Sequence, residues 1–261
     1  MQEEKADKDV MIKVSGLSVG YSHSAILKDI NFSVRRGEIF VVLGASGCGK
    51  STLLKNMIGL YPPIKGDIEI KGESIVNATP SQKTEIMKKF GVLYQSGALF
   101  NSLTLEENIT LVLEEYTDLS KKERRRVAEE KLALVGLDRF KNFYPNAISG
   151  GMKKRAGLSR AMALDPDLLF FDEPSAGLDP ISSASLDRLL MKLSKEHGTT
   201  LVIVTHELES IMTIADRVIM LDKNSKGIIA EGDPRDLRQN STNEWVKRFM
   251  NRDDLTNDKI S

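Results

Sequence analysis

A chain of 261 residues is long enough for one large domain, or two closely joined ones, with a proper core. Its 37 basic and 37 acidic side chains cancel, so there is no global field for nucleic acid or an anionic membrane. The lone cysteine excludes an intrachain disulfide and fits a reducing compartment, and no run approaches the ~18 apolar residues that would span a bilayer.

Residues 1–9 are dominated by charge, lack the apolar segment of a signal peptide, and are expected to be disordered. From Val10 to Val34 the pattern is strand-like, in pieces at Met11–Val14, Ile26–Leu27 and Ile30–Val34, interrupted by Gly20–Tyr21. Arg36–Gly37 reads as a turn, and Ile39–Leu43 as a continuous apolar run of the kind a buried parallel strand needs. A helix from Lys50 to about Ile58, closed by Gly59, follows a glycine-rich loop, and Asp67–Ile70 is a short strand. Thr79, Pro80 and Gln82 mark a helix start, with capping boxes again at Thr104 to Glu107 and Ser120 to Glu123.

Strands are scarce in the middle third, so residues from about 97 to 165 read as a helical subdomain. Strands resume at Leu168–Phe171, Leu201–Val204 and Val218–Leu221, separated by helices, which predicts an α/β fold. Ser241 to Glu244 predicts the start of a C-terminal helix, with Trp245, Phe249, Val246 and Met250 on one apolar stripe. The polar tail from Asn251 reads as loose. Residues 10–240 thus form the main domain, and 241–261 a helix and tail.

Gly44, Ala45, Ser46, Gly47, Cys48, Gly49, Lys50 and Ser51 match the phosphate-loop pattern G-x-x-x-x-G-K-[ST], between a buried strand and a helix. The glycines let backbone N–H groups curl around phosphate oxygens, and the helix start adds its partial positive charge. Lys50 is expected to reach the β- and γ-phosphates, and Ser51 to coordinate Mg²⁺. Leu168–Phe171 delivers Asp172 and Glu173 at its end, and adjacent acids after a buried run call for a cation or a proton. Asp172 fits a water-mediated Mg²⁺ ligand, and Glu173 the general base for the attacking water. His206 follows the apolar Leu201–Val204 and would hold that water or a γ-phosphate oxygen. Gln95 follows Val92–Tyr94 and could reach Mg²⁺ or the water, and Tyr21 could stack on adenine.

Ser149-Gly150-Gly151 caps a second helix that contains Lys153, Lys154 and Arg155, and offers a second anion site aimed outward. Cys48 reads either as a small tolerated residue or as a thiolate-prone group near a helix N-terminus. The basic run from Lys121 to Arg126 reads as a solvated helix face interleaved with acids.

With these residues in place the chain resembles the ATP-binding cassette ATPases over almost its full length. The matching motifs are Tyr21, the loop from Gly44 to Thr52, Gln95, Ser149-Gly150-Gly151, Asp172 with Glu173, Ser175 to Asp179, and His206. The resemblance implies a P-loop NTPase with a RecA-like α/β core, an antiparallel β subdomain and a helical subdomain. It implies ATP and Mg²⁺ as cofactors and a head-to-tail homodimer, each ATP lying between one subunit's phosphate loop and the other's signature helix, with Asp179 beside it.

Gln95 to Phe100, followed by Leu103 to Asn108, is similar to the Mla/MCE-associated branch, in which the cassette energises phospholipid movement between bacterial inner and outer membranes. That likeness implies a membrane permease docking near the Gln95 loop, an MCE-domain lipid-binding subunit, and a place on the cytoplasmic side of the inner membrane. Nucleic acid is not among the expected partners. Met152 stands where the commonest family signature has glutamine. Other readings are the ATPase of a small-solute importer or a lipoprotein-releasing exporter, a permease-free cytoplasmic cassette, and a regulatory module that binds without hydrolysis.

Overall fold

The computed structural model describes residues 9–21 and 24–252. Of the termini expected to be loose, residues 1–8 and 253–261 lie outside the described residues; the Asp9 carbonyl accepts from the Arg36 N–H at 2.8 Å, and Asn251 is the last residue of a helix, its side chain donating to the Lys247 carbonyl at 2.9 Å. In chain order the strands are β1 (Val10–Tyr21), β2 (Ser24–Arg35), β3 (Ile39–Gly44), β4 (Lys65–Ile70), β5 (Glu73–Ser74), β6 (Phe90–Leu93), β7 (Leu168–Asp172), β8 (Thr200–Val204), β9 (Arg217–Asp222) and β10 (Gly227–Gly232). The helices are α1 (Lys50–Met57), α2 (Pro80–Met87), α3 (Leu105–Tyr116), α4 (Lys121–Leu134), α5 (Gly150–Ala161), α6 (Pro180–His197), α7 (Leu208–Ile214), α8 (Pro234–Asn240) and α9 (Glu244–Asn251). The chain divides into two compact units, Met1–Val76 with Val204–Ser261, and Asn77–Ile203.

In the first unit β2, β1, β4 and β5 form an antiparallel sheet in that order. β1 and β2 run for 12 residues each, where the sequence suggested shorter pieces. Register shifts explain the difference: Gly16 (φ 56°) and Asp29 (φ 51°) break the two-residue alternation without ending the pairing. Gly66 on β4 makes room for the irregularity in β1, since a Cβ there would lie 2.5 Å from the Gly16 carbonyl oxygen.

All six residues of β3 are buried, as its apolar run requires. It pairs in parallel with β9, Phe40 opposite Arg217 and Gly44 opposite Leu221. The Arg217 guanidinium lies 4.8 Å from the Phe40 ring and donates to Glu38 at 2.7 and 2.9 Å. It also donates to the Ser33 carbonyl at 2.6 Å and to Glu231, so one side chain ties β2, β9 and β10 together. β10 lies antiparallel on β9. It has no signal in the sequence, because its residues are half-exposed and carry neither a buried run nor clean alternation.

In the second unit β8, β7 and β6 are adjacent in that order, and β6 runs parallel to β7. The first four residues of β7 are buried, with Phe170 edge-on to Phe90 at 5.2 Å. Gly91 lets α5 close on β6: a Cβ there would sit 2.0 Å from the Ala161 carbonyl oxygen. The capping boxes at Thr79, Thr104 and Ser120 all form, each hydroxyl accepting from the third helical N–H while the third side chain accepts from the cap N–H. The basic face of α4 is laced with acids, Arg124 to Glu114 at 3.2 Å and Arg125 to Glu106 at 3.4 Å.

One helix start differs from expectation. α9 is capped by Asn243, whose side chain accepts from the N–H groups of Trp245 and Val246, while Ser241 Oγ accepts from the Asn243 N–H. Asparagine is the stronger cap and its position fixes the start. Val246 and Met250 are buried, and the Trp245 and Phe249 rings pack at 5.4 Å beside them.

Candidate active site

The loop between β3 and α1 is built to curl. Gly44, Gly47 and Gly49 have φ of 153°, 77° and 106°. At Gly44 close approach is decisive: a Cβ would lie 2.5 Å from the Leu221 carbonyl oxygen and 2.7 Å from Cys48 Sγ. A Cβ at Gly47 would meet nothing, so there the left-handed conformation alone calls for glycine. α1 starts at Gly49 with no side-chain cap and no acid in its first turn, which leaves its positive end for an anion. Lys50 is buried and donates from Nζ to the carbonyls of Gly44 (2.8 Å) and Ala45 (3.1 Å). An ammonium at that depth needs acceptors. Ser46 and Ser51 are exposed, whereas Thr52 is buried.

Cys48 corrects the sharper of its two sequence readings. Its side chain is buried, and burial pushes the thiol pKa up despite the opposing charge of Lys50. The residue is a packed thiol beneath the loop rather than a thiolate. The same unit carries Tyr21 at the end of β1, 53% exposed and edge-on to Tyr61 at 6.3 Å. That exposure suits a ring offered to a ligand. His206 is exposed just past β8, after the buried Thr205, whose N–H donates to the Val42 carbonyl at 3.3 Å.

In the second unit β7 ends on Asp172, and Glu173 follows at φ 48°. A bulky residue rarely adopts that backbone, and such outliers gather at functional sites. The Glu173 carbonyl accepts from the Ala176 N–H at 3.2 Å and from Lys154 Nζ at 3.1 Å. Lys154, the middle one of three consecutive basic residues on α5, is only 6% exposed. The sequence carried no sign of this, because the depth of one lysine on a helix depends on what packs against it.

Gln95 is exposed, two residues beyond β6. Its loop turns through Gly97 and Ala98, both at positive φ (76° and 47°). It is pinned from two sides. The fully buried Asn108 accepts from the Phe100 N–H at 2.8 Å and donates to the carbonyls of Phe100, Leu103 and Thr104. Arg160 donates to the Ala98 carbonyl and lies over the Phe100 ring at 5.9 Å. Beside the loop, burial raises the Tyr94 hydroxyl pKa; the Arg160 charge lowers it and the Asp172 charge raises it further.

Ser149 caps α5, its Oγ accepting from the Met152 N–H at 3.3 Å. A Cβ on Gly150 would point into open space, and one on Gly151 would come no nearer than 3.4 Å to the Ser182 side chain. The chain's own packing therefore gives no reason for the first glycine and little for the second. A ligand approaching the helix start would. Asp179 caps α6, accepting from the N–H groups of Ile181 (3.1 Å) and Ser182 (3.0 Å). Its hydrogen bonds with Ser182 hold its carboxyl below the usual range.

Among the described residues no group of three or more His, Cys, Asp or Glu side chains could hold a metal. Mg²⁺ held largely by phosphate and water asks for only one or two protein oxygens; Ser51 lies exposed in the first turn of α1, and Asp172 ends β7. A curled glycine loop before an uncapped helix, on a buried parallel strand, defines a P-loop nucleoside triphosphatase.

Residues 27–176 match the family model described as ABC transporter. The chain is 41% identical over 242 residues to the "Probable ribonucleotide transport ATP-binding protein mkl" of Mycobacterium bovis, covering 93% of this chain and 67% of that protein. Among solved structures it is similar to the ATP-binding cassette MJ0796 in a dimeric post-hydrolysis state bound to ADP and Pi, with a TM-score of 0.78 and 31% identity, covering 85% of this chain and 98% of that one. It is also similar to cbiO1 from Clostridium perfringens, described as part of the ABC transporter complex cbiONQ, with a TM-score of 0.80 and 28% identity over 87% of this chain and 90% of that one. The chain belongs to the ABC transporter family, and its activity is the hydrolysis of ATP to ADP and phosphate. Among the described residues no helix is long and apolar enough to cross a membrane.

Proposed function

We propose that the chain is the ATP-hydrolysing subunit of a bacterial transporter that moves phospholipid between the inner and outer membranes. The observation that carries the motor part is the start of α5. It is a capped helix N-terminus whose Gly150 leads into open space, a phosphate-shaped surface in a chain that already owns a phosphate loop. A homodimer uses both: the γ-phosphate held by one subunit's Lys50 meets the other's Ser149, Gly150 and Gly151, with Asp179 alongside. MJ0796, described as dimeric with ADP and Pi, supports that reading.

Within each site the backbone from Gly44 to Thr52 cradles the phosphates, Lys50 neutralises them, and Tyr21 stacks on adenine. Glu173 accepts the proton of the attacking water, and His206 and Gln95 hold that water in line. Mg²⁺, bound through Ser51, Asp172 and Gln95, would supply charge stabilisation at the β- and γ-oxygens. ATP binding closes the dimer, closure pushes on the permease, and hydrolysis resets it.

The cargo rests on the segment from Gln95 to Asn108, which is similar to the Mla/MCE branch. The buried Asn108 that pins this segment fits a loop held rigid for docking a permease. An MCE-domain lipid-binding subunit completes the assembly, on the cytoplasmic side of the inner membrane. A second reading, transport of a small solute, is favoured by the relative named for ribonucleotide transport. Isolation of the chain with its native membrane partners, followed by mass spectrometry of proteins and lipids, separates the two. A permease, an MCE-type subunit and bound phospholipid are expected; a periplasmic solute-binding protein without lipid would overturn the phospholipid reading.

A further inference from the structure

We propose that Lys154 is the positioning residue for Glu173, holding the backbone at the end of β7 in the conformation from which the carboxylate works. This rests on the reading of Glu173 as general base. At φ 48° Glu173 occupies a region that non-glycine residues adopt only where their surroundings enforce it. Its neighbour makes matters worse, because Pro174 favours extended backbone in the residue before it. The conformation therefore has to be held from outside.

The Glu173 carbonyl accepts from the Ala176 N–H at 3.2 Å, which closes the local turn, and from Lys154 Nζ at 3.1 Å, which reaches in from α5. The second is the unusual one. A lysine 6% exposed gives up most of its hydration, a large cost unless its ammonium finds acceptors, and a charged donor makes a stronger hydrogen bond than a neutral one. A clamp on the carbonyl fixes the peptide plane after Glu173, and so the direction in which the side chain leaves the strand. General-base catalysis is sensitive to that direction, since misplacement by an ångström can cost ~10²-fold in rate. The same helix begins at Ser149, so whatever seats that helix start also seats the clamp.

The test uses the chain in the assembly isolated from its membrane, with ATP turnover, ATP affinity and thermal unfolding measured together. Lys154→Met removes the donor while keeping length. It is expected to lower kcat ~10- to 100-fold with the Kd for ATP within about twofold of wild type. Lys154→Arg, which restores a charged donor, recovers most of the loss. In a Glu173→Gln background Lys154→Met should add nothing further, because it acts through the carboxylate already removed. If Lys154→Met does not fold, Lys154→Gln, shorter but still a donor, is measured instead, and lowered kcat with unchanged Kd is again expected. Wild-type kcat in either variant, while Glu173→Gln is inactive, overturns the positioning role alone. So does a full loss of rate added on top of Glu173→Gln. Retained turnover in Glu173→Gln overturns the base assignment, and the inference with it.

Discussion

Gly157 on α5 faces the Gly97 carbonyl so closely that a Cβ at Gly157 would come within 2.7 Å of that oxygen and 2.8 Å of Leu93 Cδ1. Backbone meets backbone here, between the signature helix and the loop that carries Gln95. Gly157→Ala forces an added methyl into a backbone atom that cannot rotate away, and is expected to cost about 1–3 kcal/mol. Urea unfolding measures this; an unchanged midpoint would mean the contact is loose.

Gly150→Ala should behave in the opposite way. Its Cβ has open space, so stability should stay within roughly 0.5 kcal/mol of wild type. Turnover and ATP-dependent dimerisation should nevertheless fall, because in the proposed dimer the methyl would face the partner's phosphate. Normal turnover with normal dimerisation would remove α5 from the nucleotide site.

Lys50→Ala is expected to weaken ATP binding by about tenfold or more, the loss of a charge-assisted contact of about 1.5–3 kcal/mol. The side chain is already folded over the loop, donating to Gly44 and Ala45, so its loss also frees two carbonyls. Calorimetric titration with ATP decides the matter, and wild-type affinity would count against Lys50 as a phosphate ligand.

Glu173→Gln keeps the shape of the side chain and removes the proposed base. ATP should bind with near-normal affinity while hydrolysis falls ~10²-fold or more. Single-turnover measurement separates this from slow product release, and substantial residual chemistry would assign the base elsewhere.

Cys48 should resist alkylation near neutral pH, since the buried thiol stays protonated. Its folded pKa lies above the ordinary thiol value, so the associated stability is fully present below that value. It is lost as pH rises through the folded pKa, where the folded chain too gives up the proton. Mass-spectrometric labelling of the native chain should be slow and become rapid only on unfolding. Fast stoichiometric labelling of folded protein at neutral pH would contradict the buried position.

Much of this was legible in the residues themselves. The phosphate loop, β3, β7 and the three capping boxes declare themselves because each rests on local chemistry: a glycine pattern, a short apolar run, a hydroxyl three residues before an acid or amide. What stayed hidden depends on distant partners. β10 has no pattern of its own and exists by pairing with β9. The full length of β1 was masked by the irregularity at Gly16, which makes sense only beside Gly66. Lys154 belongs to the same group, its depth being set by the end of β7 rather than by its neighbours in α5.

The carboxylate of Asp179 caps a helix in this structure and stands beside the nucleotide in the proposed dimer, and a single deletion would confuse the two. It accepts from two N–H groups to begin α6, an 18-residue helix. Replacement by alanine would fray that helix and mimic a failure of the dimer site. Asparagine caps about as well as aspartate, so Asp179→Asn leaves the helix start in place while it removes the charge and exchanges the second oxygen for a donor. In the proposed dimer that amide separates crosstalk between two nucleotides from the folding of a helix.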